Sequence, residues 1–301
     1  MTLRPFVATL PVVVPYRLDL TVSVLRRFST NVVDRLSEDG RYERALDGLT
    51  APALVAVRQR DAATLEATID APPGEAERAL ALVRRMLGVD RDLTRFDRAA
   101  AKVPWLRALA KRMRGVKPPR YPTLWEACVN AVVFQQISLF AAGAILRRVI
   151  EALGTKVEGA GGVLYAFPSP QTILSAADAT LGIAGLSANK IAALRRIAEA
   201  LLGGTLDEAM LEERSSLEAA ALLTSIKGIG PWTAAVVLLR GLGRLDVFPA
   251  KDSGVARSIA VIAGAEAADV AATLKALGDY RGMLYYHLLL ARLDARGELT
   301  A

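Results

Sequence analysis

Two glycines and a proline stand between apolar runs in Leu222-Leu223-Thr224-Ser225-Ile226-Lys227-Gly228-Ile229-Gly230-Pro231-Trp232-Thr233-Ala234-Ala235-Val236. Gly228 and Gly230 reach backbone angles closed to other residues, and without side chains they let an anion approach main-chain N–H groups. Pro231 suits the first turn of a helix, where its missing N–H costs little. That helix start offers free donors and the positive end of the helix dipole, which together make an anion site. Taken alone, the turn reads equally well as a tight helical connection that holds nothing.

Downstream, Leu245-Asp246-Val247-Phe248-Pro249-Ala250-Lys251-Asp252-Ser253-Gly254-Val255-Ala256 brings an aspartate to the start of another apolar segment. Asp252 can cap the helix beginning near Ser253, and a helix start also favours a carboxylate. A carboxylate fixed in this way can stabilise a cation developing on a substrate, orient a water, or do both. Asp246 is the rival acid, but its place before Val247-Phe248-Pro249 suits pairing with the loop main chain. Lys251 adjoins Asp252, yet neighbours at a helix start point in different directions, so it fits a phosphate contact better than amine catalysis.

The elements that must carry these residues follow from periodicity. From Arg4 to about Ala71 the pattern predicts strands, clearest in the alternation of Ala53-Leu54-Val55-Ala56-Val57 and Thr64-Leu65-Glu66-Ala67-Thr68-Ile69. Tyr16 to Phe28 fits a strand early and a helix in its second half. After Pro72-Pro73-Gly74, helix formers with apolar spacings of three and four fill Glu75 to Leu87, Val103 to Met113, Leu124 to Leu153, Pro170 to Ala177, Lys190 to Leu202 and Leu217 to Ile226. Thr233 to Leu239, Ser253 to Ile262, Ala267 to Leu277 and Met283 to Leu293 continue the pattern, and Gly159-Ala160-Gly161-Gly162 predicts a flexible loop. The expected fold is mostly α, with a small mixed α/β N-terminal domain over 1–88 and an all-helical lobe over 89–301.

Composition bounds the function. The 301 residues are 52% apolar, ample for folded cores. No apolar run nears the roughly 20 residues of a membrane-spanning helix, and the N-terminus lacks a secretory pattern, so a cytoplasmic location with no membrane partner is expected. One cysteine, Cys128, excludes an intrachain disulfide and a cysteine-ligated metal cluster; its apolar neighbours make it a core filler. A net charge of +7 favours a polyanionic partner.

The full hairpin run, with Asp252 beyond it, resembles the helix-hairpin-helix-Gly/Pro-Asp superfamily of DNA glycosylases. That resemblance implies double-stranded DNA with damaged bases as partner, Asp252 as catalytic acid, and Lys227, Gly228, Ile229, Gly230, Thr233 and Lys251 as DNA-binding residues in a helix-hairpin-helix glycosylase domain. It also implies a monovalent cation, Na+ or K+, held by the main-chain carbonyls of Thr224, Ile226 and Ile229, with no cofactor required for catalysis. Superfamily members that nick the strand carry a lysine nucleophile two residues after the second hairpin glycine. Here that position is Trp232, which removes the Schiff-base route and implies a water-driven, monofunctional enzyme.

Within the superfamily the chain is similar to the DNA-3-methyladenine glycosylase II branch, which excises alkylated purines in base excision repair. Pro122-Thr123-Leu124-Trp125-Glu126, Phe134-Gln135-Gln136-Ile137-Ser138, Leu186-Ser187-Ala188-Asn189-Lys190 and Tyr280-Arg281 carry this similarity. Gln136 and Ile137 stand where the family places its wedge for base flipping, with a helix end and a core residue as the alternative. Trp232 can stack on a cationic base or fill the core. Val236, Ser253 and Leu289 stand where aromatic rings are common in this branch, so the pocket is less aromatic, with Ser253 facing the substrate. A monomer is expected. A non-catalytic lesion sensor and a glycosylase for deaminated or oxidised bases stay open. His287, a lone histidine among apolar residues, is assigned no chemistry.

Overall fold

Alternation in Thr64–Asp70, where Leu65, Ala67 and Ile69 turn inward, places this strand inside a sheet. The computed structural model describes residues 5–250, 252–264 and 268–299. Its five-stranded antiparallel sheet comprises β1 (Phe6–Pro11), β2 (Asp34–Leu36), β3 (Tyr42–Leu46), β4 (Ala53–Asp61) and β5 (Thr64–Asp70), in the order β1-β5-β4-β3-β2. Helices α1 (Leu18–Arg26) and α2 (Ala76–Leu87) cover one face, with Leu18, Val22 and Val83 in the same core as Leu65 and Ile69. The predicted helix in the second half of Tyr16 to Phe28 is therefore present.

Every residue of helix α1 except Asp19 is buried, so the helix packs on more than one side. Its Leu20 and Val24 join a second core, built from α3 (Thr94–Ala100), α4 (Pro104–Arg112) and C-terminal helices. A third core gathers α5 (Leu124–Val133) and α6 (Leu139–Leu153) with later helices. Between them lies a hairpin, β6 (Thr155–Gly159) and β7 (Gly162–Ala166), whose Leu164 and Ala166 pack against Ala45 of β3. The expected flexible loop at Gly159 to Gly162 is instead the turn of this hairpin, fixed by that packing.

The remaining helices are α7 (Pro170–Ser175), α8 (Asp178–Ile183), α9 (Ala188–Leu202), α10 (Glu208–Glu212), α11 (Ser216–Thr224), α12 (Pro231–Arg240), α13 (Ser253–Ala263), α14 (Val270–Leu277) and α15 (Gly282–Asp294). Side-chain caps set many of their starts: Ser138, Ser169, Ser187, Asp207, Asp252 and Asp269 each accept from the first turn, and Ser215 with Glu218 forms a capping box. Val236 and Val237 of α12 belong to one helical core and Leu239 to the other, so α12 joins the two. No helix among the described residues is long and apolar enough to cross a membrane.

The continuous helix predicted over Leu124 to Leu153 is broken at 134–138. Gln136 adopts φ +57°, which no α-helix permits. Tertiary bonds stabilise the break: Lys190 Nζ donates to the carbonyls of Val133 (2.7 Å) and Gln135 (3.0 Å), and Ser138 caps α6. Below it, buried Arg44 of β3 pairs with Asp34 (2.7 Å) and Glu126 (2.5 Å), which fixes the first turn of α5 against the sheet.

His287 lies within the core of α15, tilted against Phe96 at 4.8 Å, with its Nδ1 2.8 Å from the Met283 carbonyl. Burial pulls it down to about 4. As pH falls below the unfolded-state value near 6.5, the unfolded chain takes a proton that the folded chain refuses, so stability present above that value is lost on acidification. Between pH 7 and pH 5 this histidine should cost about 2 kcal/mol. Denaturant titrations of wild type and His287→Leu should show a shallower acid slope in the variant; equal slopes would contradict the assignment.

Candidate active site

Five pieces of chain converge on a cleft of about 720 Å3: the end of α1, the break between α5 and α6, the hairpin between α11 and α12, the start of α13, and α15. Asp252 stands half-buried in its wall. One oxygen, Oδ1, accepts from the N–H groups of Gly254 (2.8 Å) and Val255 (3.0 Å) and so caps α13. The other, Oδ2, accepts from Trp232 Nε1 at 3.0 Å. Capping and a poised carboxylate are thus compatible, because each uses a different oxygen.

Arg292 of α15 approaches the same helix start so closely that a Cβ on Gly254 would collide with its guanidinium. Burial pulls the Arg292 guanidinium below its ordinary value, and Asp252 opposes that shift. The rival acid, Asp246, is exposed and absent from the cleft wall. Cys128 is wholly buried, and desolvation pushes its thiol up to about 12, as a core filler requires.

The hairpin is held from two sides. Gly228 turns at φ +108°, and Ile229 N–H donates to Ile226 O at 2.9 Å. Gln135 Nε2, from the break after α5, donates to Gly228 O (2.9 Å) and to Thr233 Oγ1 (2.7 Å). Arg196 Nη1 donates to Lys227 O at 3.4 Å. Lys227 and Gly228 face solvent, and the main-chain N–H groups of Trp232 and Thr233 meet no acceptor among the described residues. These donors, at the start of α12, are what an anion site needs.

Several expectations change on inspection. The Ile229 side chain is buried in the core and its N–H is taken by Ile226 O, while Thr233 is buried with its hydroxyl accepting from Gln135, so of the two only the Thr233 main-chain N–H is left for an anion. Trp232 packs partly against the core and also points its ring nitrogen at Asp252. Gln136 and Ile137 are exposed at the cleft, in the break and not within a helix. Val236 and Leu289 line the cleft. Ser253 begins α13, but its side chain, like Lys251, lies outside the described residues. Among the basic candidates, Arg147 pairs with Glu151 (2.8 Å) and Arg195 with Asp178 (2.6 Å), while Arg148 donates to Ala184 O (2.8 Å).

Gln135, Arg27 and Tyr285 are among the lining residues to which the sequence reading assigned no role. Gln135 sits beside the flagged Gln136, but nothing local separates the two roles. Arg27 follows an amphipathic helix, where a basic residue ordinarily caps carbonyls at the surface. Tyr285 falls in an apolar helix beside Tyr286, whose hydroxyl donates to Leu239 O at 3.1 Å.

A family model described as the HhH-GPD superfamily of base excision DNA repair proteins matches residues 129–279, a span holding the hairpin and Asp252. A DNA-3-methyladenine glycosylase from Bacillus subtilis is 30% identical over 186 residues, covering 62% of this chain and 61% of its own length, so the match spans about three fifths of that relative. The solved 3-methyladenine DNA glycosylase of Archaeoglobus fulgidus superposes with a TM-score of 0.79 at 26% identity, over 96% of this chain and 99% of that one. The Schizosaccharomyces pombe 3-methyladenine DNA glycosylase, solved with abasic DNA, gives 0.54 at 26% identity, over 65% and 95%.

Proposed function

Because this chain belongs to the HhH-GPD superfamily of base excision DNA repair proteins, we propose that it is a monofunctional DNA glycosylase that hydrolyses the N-glycosidic bond of alkylated purines. The observation that carries this reading is the Asp252 carboxylate, capping α13 through one oxygen and turned to Trp232 on the other, at the wall of a cleft beside a hairpin whose Trp232 and Thr233 N–H groups meet no acceptor among the described residues. The relatives named for 3-methyladenine support the substrate class, which in this reading extends to 7-methylguanine.

In this reading the start of α12 grips a phosphate and Gln136 and Ile137 fill the gap left by the flipped nucleotide. The bond from C1′ to the base breaks with its electron pair leaving on the base, and Asp252 stabilises the oxocarbenium charge left on the sugar. A water oxygen then adds to C1′, its surplus proton passing to the Asp252 carboxylate and on to solvent, and an abasic site remains. Trp232 in place of a lysine leaves no amine to form a Schiff base there. The carbonyls of Thr224 and Ile229 accept no hydrogen bond among the described residues, and with Ile226 O they suit a monovalent cation at the hairpin. The protein is read as a cytoplasmic monomer acting on duplex DNA.

Single-turnover assays on duplexes bearing 3-methyladenine, 7-methylguanine, hypoxanthine, uracil and 8-oxoguanine test this. Free alkylated base should appear with an intact strand and no borohydride-trapped adduct. Tight duplex binding without base release would favour a lesion sensor, and a trapped adduct would overturn the hydrolytic route.

A further inference from the structure

Much of the polar wall of the cleft is already engaged within the protein. Thr233 accepts from Gln135 (2.7 Å), Asn130 accepts from Tyr121 (2.9 Å) and donates to Glu126 O (3.0 Å), and Ser258 donates to Gly254 O (2.8 Å). Tyr285 of α15 differs. Its hydroxyl makes no hydrogen bond among the described residues, yet it is open to solvent and not sealed in the core. The ring behind it is anchored: it packs against the second core and stands edge-on to Tyr286, centroids 6.1 Å apart. Tyr286 is itself tied to Leu239 O at 3.1 Å. A phenol held in this way, with its O–H unspent, offers a preorganised donor to whatever fills the cleft. Burial raises the phenol above its ordinary value, opposed by Arg27 and Arg240 and reinforced by Asp252 and Tyr121, so at neutral pH the proton stays on its oxygen.

We propose that Tyr285 is a further catalytic residue for base excision, its hydroxyl donating to an acceptor of the flipped alkylated purine in a bond that strengthens as the base departs. Both alkylated purines keep an acceptor on the edge that faces the major groove in a duplex, N7 in 3-methyladenine and O6 in 7-methylguanine. Before cleavage the alkylated base carries a positive charge, which weakens its acceptors. When the C1′–N9 bond breaks, the electron pair stays on N9, the charge on the base is neutralised and the acceptors grow stronger. Tyr285 keeps its proton throughout. A donor bond that gains strength only as the glycosidic bond breaks favours the transition state over the bound substrate, so it speeds the chemical step without tightening binding. Asp252 meets the positive charge growing on the sugar and Tyr285 the electron density returning to the base, so the two act on opposite ends of one bond.

This inference rests on the excision reading above, and the experiment separates the two. Single-turnover release of 7-methylguanine and 3-methyladenine is measured against enzyme concentration for wild type, for Tyr285→Phe, and for protein carrying 3,5-difluorotyrosine in place of Tyr285. Tyr285→Phe removes one oxygen and keeps the ring. It should slow release of both bases at saturating enzyme about tenfold, the worth of one hydrogen bond in the transition state, with the half-saturating concentration within about twofold. The fluorinated phenol is more acidic, so its rate should fall at a lower pH than that of wild type as the donor ionises. Wild-type rates in Tyr285→Phe, a change in half-saturating concentration alone, or a fluorinated profile identical to wild type would overturn the inference while excision stands. A wild-type protein that releases neither base overturns both.

Discussion

Replacing Asp252 with asparagine is expected to cut single-turnover base release about a thousandfold while leaving duplex binding intact. Asparagine is as good an N-cap as aspartate, so Oδ1 keeps its bonds from Gly254 and Val255 and α13 keeps its start. What changes is the second oxygen, which faces Trp232 Nε1 and the cleft. An amide nitrogen there cannot accept from the indole and carries no charge to oppose an oxocarbenium. Electrophoretic quantitation of abasic sites gives the rate, and fluorescence anisotropy the affinity. Undiminished release would remove Asp252 from the chemistry. Asp246→Asn serves as the control, since that carboxylate is exposed and away from the cleft, and its rate should stay within about twofold, as for most surface changes.

The second large effect is expected at Gly228. Its φ of +108° is strained for any residue with a Cβ, and a Cβ there would sit 2.5 Å from Ala193 Cβ and 3.3 Å from Ala193 Cα on α9. Neither atom is the end of a flexible side chain, so the hairpin itself must move. Backbone strain and overpacking together should cost about 4 kcal/mol in Gly228→Ala. Because Gln135 holds the Gly228 carbonyl, a shifted hairpin also loses its link to the break after α5. Denaturant unfolding should show the stability loss, and duplex affinity should fall at least about tenfold with the displaced phosphate donors. A variant as stable and as tightly bound as wild type would show that the tight approach to α9 is dispensable. Gly230→Ala makes the contrast, since a Cβ there meets nothing within 4 Å and the backbone is extended at φ −90°.

The hairpin and Asp252 were legible in the sequence because their signals are local. A glycine turn, a proline at a helix start and an aspartate one residue before an apolar run each act within a few residues. The break at 134–138 was not legible, since Phe134-Gln135-Gln136-Ile137 contains nothing that forbids a helix. Lys190, some fifty residues on, completes the carbonyls that end α5. Gly159 to Gly162 was read as a loop because its glycines say nothing of the β3 surface against which the flanking strands pack. Arg27 had no local signal at all, because a basic residue after an amphipathic helix looks solvated until Phe134, a hundred residues on, stacks over it. That the side chains of Ile229 and Thr233 turn inward was not legible either, because the core and Gln135 that hold them come from distant segments.

One hydrogen-bonded side chain, Gln135, joins the segment bearing Gln136 and Ile137 to the turn that would hold a phosphate. A probe and its anchor so linked behave as one stiff body, so pressing on the base stack is inseparable from gripping the strand. The first question such a protein puts to a duplex is mechanical: how readily does this step yield? In the proposed excision reading, sound, well-stacked pairs would resist and be released before any base reached the cleft, while lesions and mismatches would yield and pass on to Trp232 and Asp252. A search along a genome would thereby be filtered by compliance before it was filtered by identity.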